Sequence, residues 1–346
     1  MNVLFLVTDA YGGYGGIALF NRELCAALRD ARITVIPRIV RGSVPDPPPH
    51  VTFIAEAANG PAAYLRAISN ARRAKWDLII CGHINLLPVA TFWRPLLVVH
   101  GIEAWKKRKI PIAQCRGIVS VSALTRDRMC GWSRYAGPAY VLPNAVHLEQ
   151  YGIREQRADL IARYRLEGKR VLLTVGRLDS AERSKGFDEV IDVLRDLPED
   201  VVYMIAGGGD DASRLQARAR ELGVASRVIF TGLFGEEDKA DLYNLADVYV
   251  MPSRGEGFGF VFLEAMACGV PAIASKLDGG REALLNGKLG ALVDPTNRAE
   301  IRAAILETLE RRALAPSSRR IPEGLEHFSF ENFAARAQAI IARAAV

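Results

Sequence analysis

Cysteine is scarce in this sequence, and its few residues do not occur in pairs. The 346 residues include five cysteines, with no Cys-x-x-Cys pair among them: Cys25, Cys81, Cys115, Cys130 and Cys268. Such scattered residues predict neither a disulfide framework nor a structural zinc site. They favour a reducing compartment, which indicates a cytoplasmic protein.

Long hydrophobic runs are also lacking. Every apolar stretch is shorter than the roughly 18–20 residues that a membrane-spanning helix needs. The apolar segment Val3–Val7 has no basic residues before it and meets Asp9 almost at once, so it predicts a strand and not a signal peptide. We therefore expect a soluble protein, or one attached peripherally to the inner face of the plasma membrane.

The second half of the chain lacks the positive charge of the first half. Residues 1–150 contain 18 Lys and Arg against 9 Asp and Glu, while residues 151–346 contain 27 against 30. A basic half predicts a polyanionic partner such as an anionic membrane or a pyrophosphate-bearing lipid, although solvated helix faces give the same count. Because the sequence has no helix-turn-helix, zinc-finger or RNP pattern, we expect no nucleic-acid partner.

Short apolar runs alternate with amphipathic stretches twice along the chain. The first series begins at Asn2–Val7, and a second series begins at Val171–Val175. Strands without internal alternation, separated by helical patterns, are typical of parallel sheets covered on both faces. The sequence predicts an α/β protein with two Rossmann-like domains, over residues 1–165 and 166–325, and a final amphipathic helix within residues 326–346.

A glycine cluster, Gly12–Gly16, follows the first predicted strand and precedes a helix. Backbone amides at such a turn can hold a phosphate or sugar hydroxyls. The cluster also fits the dinucleotide fingerprint, with Arg38 or Arg41 placed to suit a phosphorylated cofactor. A tight structural turn is the alternative interpretation.

The strongest signal is the segment from Pro252 to Glu264, PSRGEGFGFVFLE, in which a glycine-broken loop leads from a strand into a helix. The free amides of that helix's first turn lie at the carboxyl edge of the sheet, where open α/β sheets bind anions and nucleotides. Glu256 lies in the loop and Glu264 in the helix. Because carboxylates repel phosphates, hydroxyl groups are their natural partners.

Two cations follow the first strand of the second series. Arg177 and Lys185 stand eight residues apart, each beside a glycine. Arg gives bidentate contacts to phosphate and Lys gives a compact charge. The two residues are therefore suited to neutralising a diphosphate.

Together these motifs resemble the C-terminal domain of glycosyltransferase family four. The shared order is Gly176-Arg177, Lys185-Gly186, the glycine run at 206–209, Phe230-Thr231-Gly232, Glu256 with Glu264, and the segment 269–274. The N-terminal glycine loop and His100-Gly101 resemble the family too. The resemblance implies a GT-B fold, in which two Rossmann-like domains face each other across a donor-binding cleft and the C-terminal helix crosses back to the first domain.

The resemblance also implies roles for individual residues. Arg177 and Lys185 would bind the donor diphosphate, and Glu264 would accept hydrogen bonds from the ribose. Glu256 and His100 would contact the donor sugar. The other donor-site residues that it implies are Gly15, Gly16, Gly232, Leu233, Phe258, Gly259 and Phe260.

The family transfers a hexose with retention of anomeric configuration, and the resemblance implies the same here. Because no carboxylate is clearly placed as a covalent nucleophile, we expect same-face substitution, in which the leaving diphosphate takes the acceptor's proton. We expect no cofactor and no metal, since Arg177 and Lys185 take the metal's place and Asp210-Asp211 fits a loop and helix cap. Glu282 follows its glycine pair more closely than in the family, so its role stays open, as does the choice between GDP-mannose and a UDP-hexose.

The acceptor prediction depends on charge. One segment of the basic half places an aromatic ring beside four cations: Trp105, Lys106, Lys107, Arg108 and Lys109. It suggests contact with an anionic membrane and a glycan or polyprenol-linked glycan acceptor, as in polysaccharide or glycolipid biosynthesis. An exposed basic loop is the alternative.

Two other classes of protein fit part of the pattern. An NADP-dependent oxidoreductase would use the first glycine cluster but would leave the motifs of the second half without a role. A non-catalytic sugar-nucleotide-binding protein would keep Arg177, Lys185 and Glu264. The presence of Glu256 and His100 favours an enzyme.

Overall fold

The computed structural model describes residues 1–12, 15–42, 46–314 and 319–345. The chain forms two compact units, of which the first comprises Met1–Ala145 with Phe328–Val346 and the second Val146–His327. Two residues of the first glycine cluster, Gly13 and Tyr14, lie outside the described residues.

Seven parallel strands form the sheet of the first unit. They are β1 (Asn2–Val7), β2 (Arg32–Pro37), β3 (Val51–Phe53), β4 (Leu78–Cys81), β5 (Leu96–Val99), β6 (Gly117–Ser120) and β7 (Ala139–Val141). Their spatial order is β3-β2-β1-β4-β5-β6-β7, so the direction of winding reverses between β1 and β4. Open α/β sheets bind ligands outside the carboxyl ends of the strands at such a reversal.

Helices cover this sheet. They are α1 (Gly16–Ala27), α2 (Pro61–Ala71), α3 (Leu87–Ala90) and α4 (Ala123–Ser133). The side chains of β1, β4 and β5 from Val3 onward are almost entirely buried, because helices close both faces of the sheet.

Six parallel strands form the sheet of the second unit. They are β8 (Arg170–Val175), β9 (Val201–Ala206), β10 (Val228–Gly232), β11 (Val248–Met251), β12 (Ala272–Ser275) and β13 (Ala291–Val293), in the order β10-β9-β8-β11-β12-β13. Its helices are α5 (Ala158–Tyr164), α6 (Phe187–Leu194), α7 (Ala212–Glu221), α8 (Lys239–Leu245), α9 (Phe260–Ala267), α10 (Gly280–Ala283) and α11 (Arg298–Leu314). Here the winding reverses between β8 and β11, so their carboxyl ends share the expected ligand edge.

The last helix, α12 (Phe330–Ala345), belongs to the first unit. The ring of Phe333 meets that of Phe20 in α1 edge to face, with 5.7 Å between their centroids. Gln338 also donates a hydrogen bond to the carbonyl of Ala27. An apolar stripe and a polar anchor thus hold α12 against α1.

The boundary between the units lies between Ala145 and Val146, earlier than the predicted boundary after residue 165. The segment that follows it is tied to the second unit by a buried amide. Asn244 of α8 accepts a hydrogen bond from the amide of Arg154 and donates one to the carbonyl of Gly152. Composition gave no sign of these hydrogen bonds, which join residues about 90 positions apart.

The predicted α/β architecture with two parallel sheets is confirmed, but the sequence did not predict the strands β3 and β13 or the helices α3, α5, α10 and α11. The two strands have three residues each and lie at the sheet edges. The long helix α11 buries only Ile301, Ile305 and Leu309 among charged residues. A stripe of one apolar residue per turn is a weak periodic signal.

Candidate active site

The loop after β11 contains Glu256, which is predicted to bind the donor sugar. Glu256 lies in this loop, half-buried, and its Oε1 accepts a hydrogen bond from the amide of Gly257. Gly259, at φ 90°, ends the loop and is the N-cap residue of α9. The loop therefore leads directly into the helix start at Phe260, as the sequence predicted.

A buried carboxyl group supports this loop from below. Asp278, which is fully buried, accepts hydrogen bonds through Oδ2 from the Ser253 hydroxyl at 2.7 Å and from the Glu256 amide at 2.9 Å. Its Oδ1 accepts a third from the Gly280 amide at 3.0 Å. Burial raises the pKa of Asp278 to about 7, although these hydrogen bonds act in the opposite direction. Sequence reasoning missed this residue, because its partners are distant in the chain.

The chain also crosses itself closely at this point. A Cβ on Gly279 would lie 1.9 Å from the carbonyl oxygen of Gly257. The Gly279 amide donates to the carbonyl of Glu256 at 2.9 Å. Only glycine fits there, which explains the first residue of the Gly279-Gly280 pair.

The predicted phosphate-binding cations lie at the carboxyl end of β8. Lys185 Nζ is 3.4 Å from Glu256 Oε2. The structure thus brings the residue predicted to bind the diphosphate beside the residue predicted to bind the sugar. Arg177 is mostly exposed and pairs with Glu182 at 3.1 Å. Both cations therefore lie at the ligand edge, each with a carboxylate beside it.

Gly186 allows this approach. It takes a left-handed conformation, φ 85°, at the start of α6, and a Cβ there would lie 2.7 Å from the carbonyl oxygen of Pro252. The loops after β8 and β11 can come together only because this residue has no side chain.

Glu264, the predicted ribose ligand, lies in α9 and is only 2% exposed. Lys239 Nζ is 2.7 Å from Oε1, and the Tyr243 hydroxyl donates to Oε2 at 2.6 Å. Burial alone lowers the pKa of Lys239, but the carboxylates of Glu264 and Glu236 outweigh it, and the net shift is upward. Each carboxylate oxygen keeps a second lone pair that is available to a hydroxyl donor. The ribose-binding role of Glu264 stays a prediction. Sequence reasoning missed Lys239 and Tyr243.

The remaining donor-site candidates of the second unit lie near the same edge. Gly232 ends β10 at φ 73°, and the following Leu233 is 88% exposed. Phe258 is buried beneath the loop. Glu282 lies in the first turn of α10, after the Asp278 turn.

The Asp210-Asp211 pair has local partners. Asp210 accepts hydrogen bonds from the amide and hydroxyl of Ser180. Asp211 stands at the N-cap position of α7, but its side chain makes no cap hydrogen bond, and it pairs with Arg183 and Arg214 instead. The predicted cap position is therefore confirmed, while the carboxylate of Asp211 is taken by two guanidinium groups.

In the first unit, His100 follows β5. Its Nε2 is 2.9 Å from the Gly82 carbonyl oxygen, and its ring meets Phe20 edge to face at 5.1 Å. The His100 amide donates to the buried Glu103 at 2.6 Å. Burial lowers the pKa of His100, which the Glu103 charge offsets only in part. The imidazole is thus held neutral and fixed.

A second histidine, which sequence reasoning missed, lies beside the first. His83 follows β4, the strand next to β5, and its ring stacks on that of His100 with 6.4 Å between centroids and 17° between planes. Its Nδ1 accepts a hydrogen bond from the Asn85 amide at 3.1 Å. A lone histidine after a short strand carries no sequence signal of this pairing.

Three glycines of the first glycine loop are described, namely Gly12, Gly15 and Gly16. Gly15 precedes α1 at φ 99°, and Gly16 begins that helix. Both are exposed at the carboxyl end of β1. Arg38, which an NADP site would need, lies over the ring of Tyr64 at 5.7 Å, and Arg41 is exposed.

The basic segment 105–109 is exposed apart from its aromatic residue. Arg128 covers the Trp105 ring at 3.7 Å, in a cation–π contact. Arg108 donates to the side chain of Asn85 at 2.7 Å. Three further cations are exposed: Lys106, Lys107 and Lys109.

The described ranges contain neither a membrane-spanning helix nor a cluster of metal ligands. None of the helices there combines the length and apolar character that crossing a bilayer requires. Nor do those residues include a group of three or more His, Cys, Asp or Glu side chains arranged to hold a metal ion.

The two sheets and their loops define the GT-B fold of glycosyltransferases, which confirms the predicted fold class. Sucrose-phosphate synthase from Thermosynechococcus elongatus matches with a TM-score of 0.78 over 99% of each chain, at 21% identity. Anabaena HepE in complex with UDP and glucose matches with a TM-score of 0.77 over 98% of this chain and 99% of its own, at 20% identity. At these identities the likeness shows the fold alone.

Residues 156–323 match the family model described as glycosyl transferases group 1, in the part of the chain where the motifs predicted such a resemblance. The GDP-mannose-dependent alpha-(1-6)-phosphatidylinositol monomannoside mannosyltransferase of Mycolicibacterium smegmatis is 35% identical over 211 residues, 57% of this chain and 54% of that protein. The D-inositol 3-phosphate glycosyltransferase of Geodermatophilus obscurus is 37% identical over 206 residues, 55% of this chain and 44% of that protein. The chain thus spans about half the length of the curated relatives it matches.

Proposed function

We propose that this protein is a retaining glycosyltransferase that moves a hexose from a nucleoside diphosphate sugar to a phosphate-bearing sugar or lipid-linked glycan. One observation supports this best: Lys185 Nζ lies 3.4 Å from Glu256 Oε2. A cation suited to phosphate and a carboxylate suited to hydroxyls thus meet at the edge where sheets of this type bind ligands.

The donor is assigned to the second unit. Arg177 and Lys185 bind its diphosphate, together with the first amides of α9. Glu264 takes the ribose hydroxyls on its free lone pairs, and Glu256 takes hydroxyls of the sugar. In the first unit, His100 contacts the sugar.

The reaction proceeds on one face of the sugar. The bond between the anomeric carbon and the leaving phosphate oxygen breaks as the acceptor oxygen bonds to that carbon. The proton of the acceptor hydroxyl goes to the leaving diphosphate. Arg177 and Lys185 stabilise the charge that develops on the diphosphate, which is the main source of catalysis.

GDP-mannose is the first donor to test, because the relatives from Mycolicibacterium smegmatis and Mycobacterium tuberculosis are named for it. UDP-hexoses are the second. The acceptor is assigned to the first unit, whose excess of Lys and Arg suits an anionic group. We place the protein in the cytoplasm, at the inner face of the plasma membrane, and expect a rate that EDTA leaves unchanged.

The test is a thermal shift screen of GDP-mannose, UDP-glucose, UDP-galactose and NADPH, followed by assay of nucleoside diphosphate release. A ligand at 100 times its Kd adds about 2.7 kcal/mol of stability. We expect one sugar nucleotide to stabilise the protein and to release its diphosphate when acceptor is added. Stabilisation by NADPH with hydride-linked absorbance change would support an oxidoreductase instead, and binding without turnover would support a non-catalytic binder.

The Arg177→Ala variant tests the assigned machinery. We expect release to fall at least a hundredfold, since a developing charge loses a bidentate partner. The matched control is Arg163→Ala, at an exposed arginine of α5. Near-full activity of the Arg177→Ala variant would contradict electrostatic stabilisation of the leaving diphosphate by Arg177.

A further inference from the structure

Two histidines share one end of the first sheet. β4 and β5 are parallel neighbours at the point where the winding reverses, and each is followed within two residues by a histidine. The rings of His83 and His100 stack at 6.4 Å. Only His100 has a role in the proposed reaction, so the purpose of His83 is open.

The hydrogen bonds fix the tautomer of each ring. A carbonyl oxygen only accepts, so the contact with Gly82 requires the proton of His100 on Nε2 and leaves Nδ1 as an acceptor. An amide N–H only donates, so the contact with Asn85 requires Nδ1 of His83 to be unprotonated. His83 therefore carries its proton on Nε2.

Nε2 of His83 has no hydrogen-bond partner among the residues that the structure describes. This nitrogen is also not fully buried, in contrast to the hydroxyl oxygen of Ser120. Burial lowers the pKa of His83, which the nearby Glu103 charge only partly offsets, so the ring stays neutral. An N–H with one fixed direction, in a largely buried neutral ring, is a donor for an oxygen of a ligand.

The basic segment 105–109 contacts the residues that follow His83. Arg108 donates to the side chain of Asn85, two residues after His83. Arg108 thus lies close to His83, and its neighbours in the chain Lys107 and Lys109 are exposed. Ligands that combine hydroxyl groups with a phosphate suit this arrangement, since the hydroxyl needs a neutral donor and the phosphate needs the cations.

We infer that His83 is a further substrate-binding residue, whose Nε2–H donates a hydrogen bond to a hydroxyl of a phosphate-bearing polyol acceptor. The hydroxyl is one that does not react, so His83 positions the acceptor beside the sugar that His100 contacts. This inference rests on the proposed function for the identity of the substrate as an acceptor. The tautomer and the ligand contact can be measured without turnover.

The first experiment is a long-range nitrogen–proton NMR correlation of the full chain at pH 7.5, assigned with the His83→Gln variant. We expect the Nε2–H tautomer for His83. Inositol 3-phosphate in solution and phosphatidylinositol in vesicles are the two probes, and at least one should shift the His83 ring signals. The Nδ1–H tautomer, or no shift with either probe, overturns the inference.

The second experiment compares His83→Ala with His50→Ala in transfer assays. His50 is the control, because its ring likewise makes one hydrogen bond to the backbone, at the Cys25 carbonyl, but it lies before β3 at the opposite end of the sheet. We expect His83→Ala to raise the acceptor KM roughly tenfold and to leave the donor KM unchanged, as the loss of one hydrogen bond implies. His83→Gln, which keeps an N–H, should recover part of that loss.

The outcomes separate the two proposals. If the wild type releases no diphosphate from any sugar nucleotide, the proposed function fails while the NMR result still decides whether His83 binds a polyol phosphate. If transfer occurs and His83→Ala behaves like His50→Ala, the role of His83 fails and the proposed function stands. Equal rises in donor and acceptor KM would mean a structural role and would also overturn the inference.

Discussion

At the scale of single residues, the Asp278 carboxyl group anchors the loop after β11. It accepts hydrogen bonds from three donors of that region, those of Ser253, Glu256 and Gly280. Asparagine has the same shape, but its NH₂ group would face one of these donors whichever way the side chain turns. The position therefore distinguishes a carboxyl group from its amide.

We expect D278N to destabilise the protein by about 1–3 kcal/mol, the cost of a buried donor left without an acceptor. The donor KM should rise as well, because the Glu256 amide loses its anchor. Urea unfolding and donor kinetics measure the two effects, with Ser253→Ala, which removes one hydrogen bond, as the milder control. Equal behaviour of D278N and wild type would contradict the anchoring role.

The pH dependence of stability follows from the same group. Its pKa is raised from 3.8 to about 7 on folding, so the folded state holds a proton that the unfolded state releases. The stability that this proton confers is fully present below pH about 4 and is lost as the pH rises to about 7. We expect the wild type to lose stability relative to D278N across this range, measured by urea unfolding at successive pH values. A difference that does not change with pH would exclude the raised pKa.

The buried pair of Lys239 and Glu264 supports a second prediction at this scale. Their side chains are 13% and 3% exposed, and each neutralises the other. We expect K239M to cost about 3–5 kcal/mol, because it leaves a buried carboxylate with tyrosine hydroxyls, those of Tyr243 and Tyr151, and without a cation. The double variant K239M/E264Q should recover part of that loss, as unfolding measurements would show. A loss below 1 kcal/mol in K239M would mean that Glu264 is not charged.

At the scale of elements, the loops after β8 and β11 meet because Gly186 leaves room. Gly223 is a matched control, since it has a similar positive φ of 72° and open space where a Cβ would stand. We expect G223A to cost about 1 kcal/mol, the left-handed backbone alone. G186A should cost a further 1–3 kcal/mol from the contact with Pro252 and should weaken donor binding. Thermal unfolding with and without donor measures both, and equal losses would contradict the close approach.

Elements also show how far the sequence leads. The strands β1 and β8 are apolar and appear in the structure within a residue of their predicted ends. The edge strands β3 and β13 are too short to show a pattern. Helix α11 was missed because its core contact is a narrow stripe. Strong signals thus belong to the elements that carry the site, which lie at the centre of each sheet.

At the scale of the whole molecule, the charge difference between the halves supports a membrane prediction. Residues 1–150 carry twice as many cations as anions. We expect the protein to co-sediment with anionic vesicles at low salt and to detach as salt rises, because the Debye length falls from about 30 Å at 0.01 M to 10 Å at 0.1 M. Uncharged vesicles are the control, and the variant with Lys106, Lys107 and Lys109 replaced by Ser should bind less. Binding that salt does not affect would exclude an electrostatic origin.

The sequence by itself determined the two parallel sheets, the carboxyl-edge loops and the match of residues 156–323 to the glycosyl transferases group 1 model. These follow from local order, namely short apolar strands, glycines at turns and charged residues at fixed spacings. Only the tertiary structure decided the partners of buried polar groups, such as Asp278 under the loop and Lys239 on Glu264. It also decided that His83 lies against His100. Those contacts join residues from different strands and loops, and burial makes each unpaired polar group costly, so the fold selects partners that no local pattern displays.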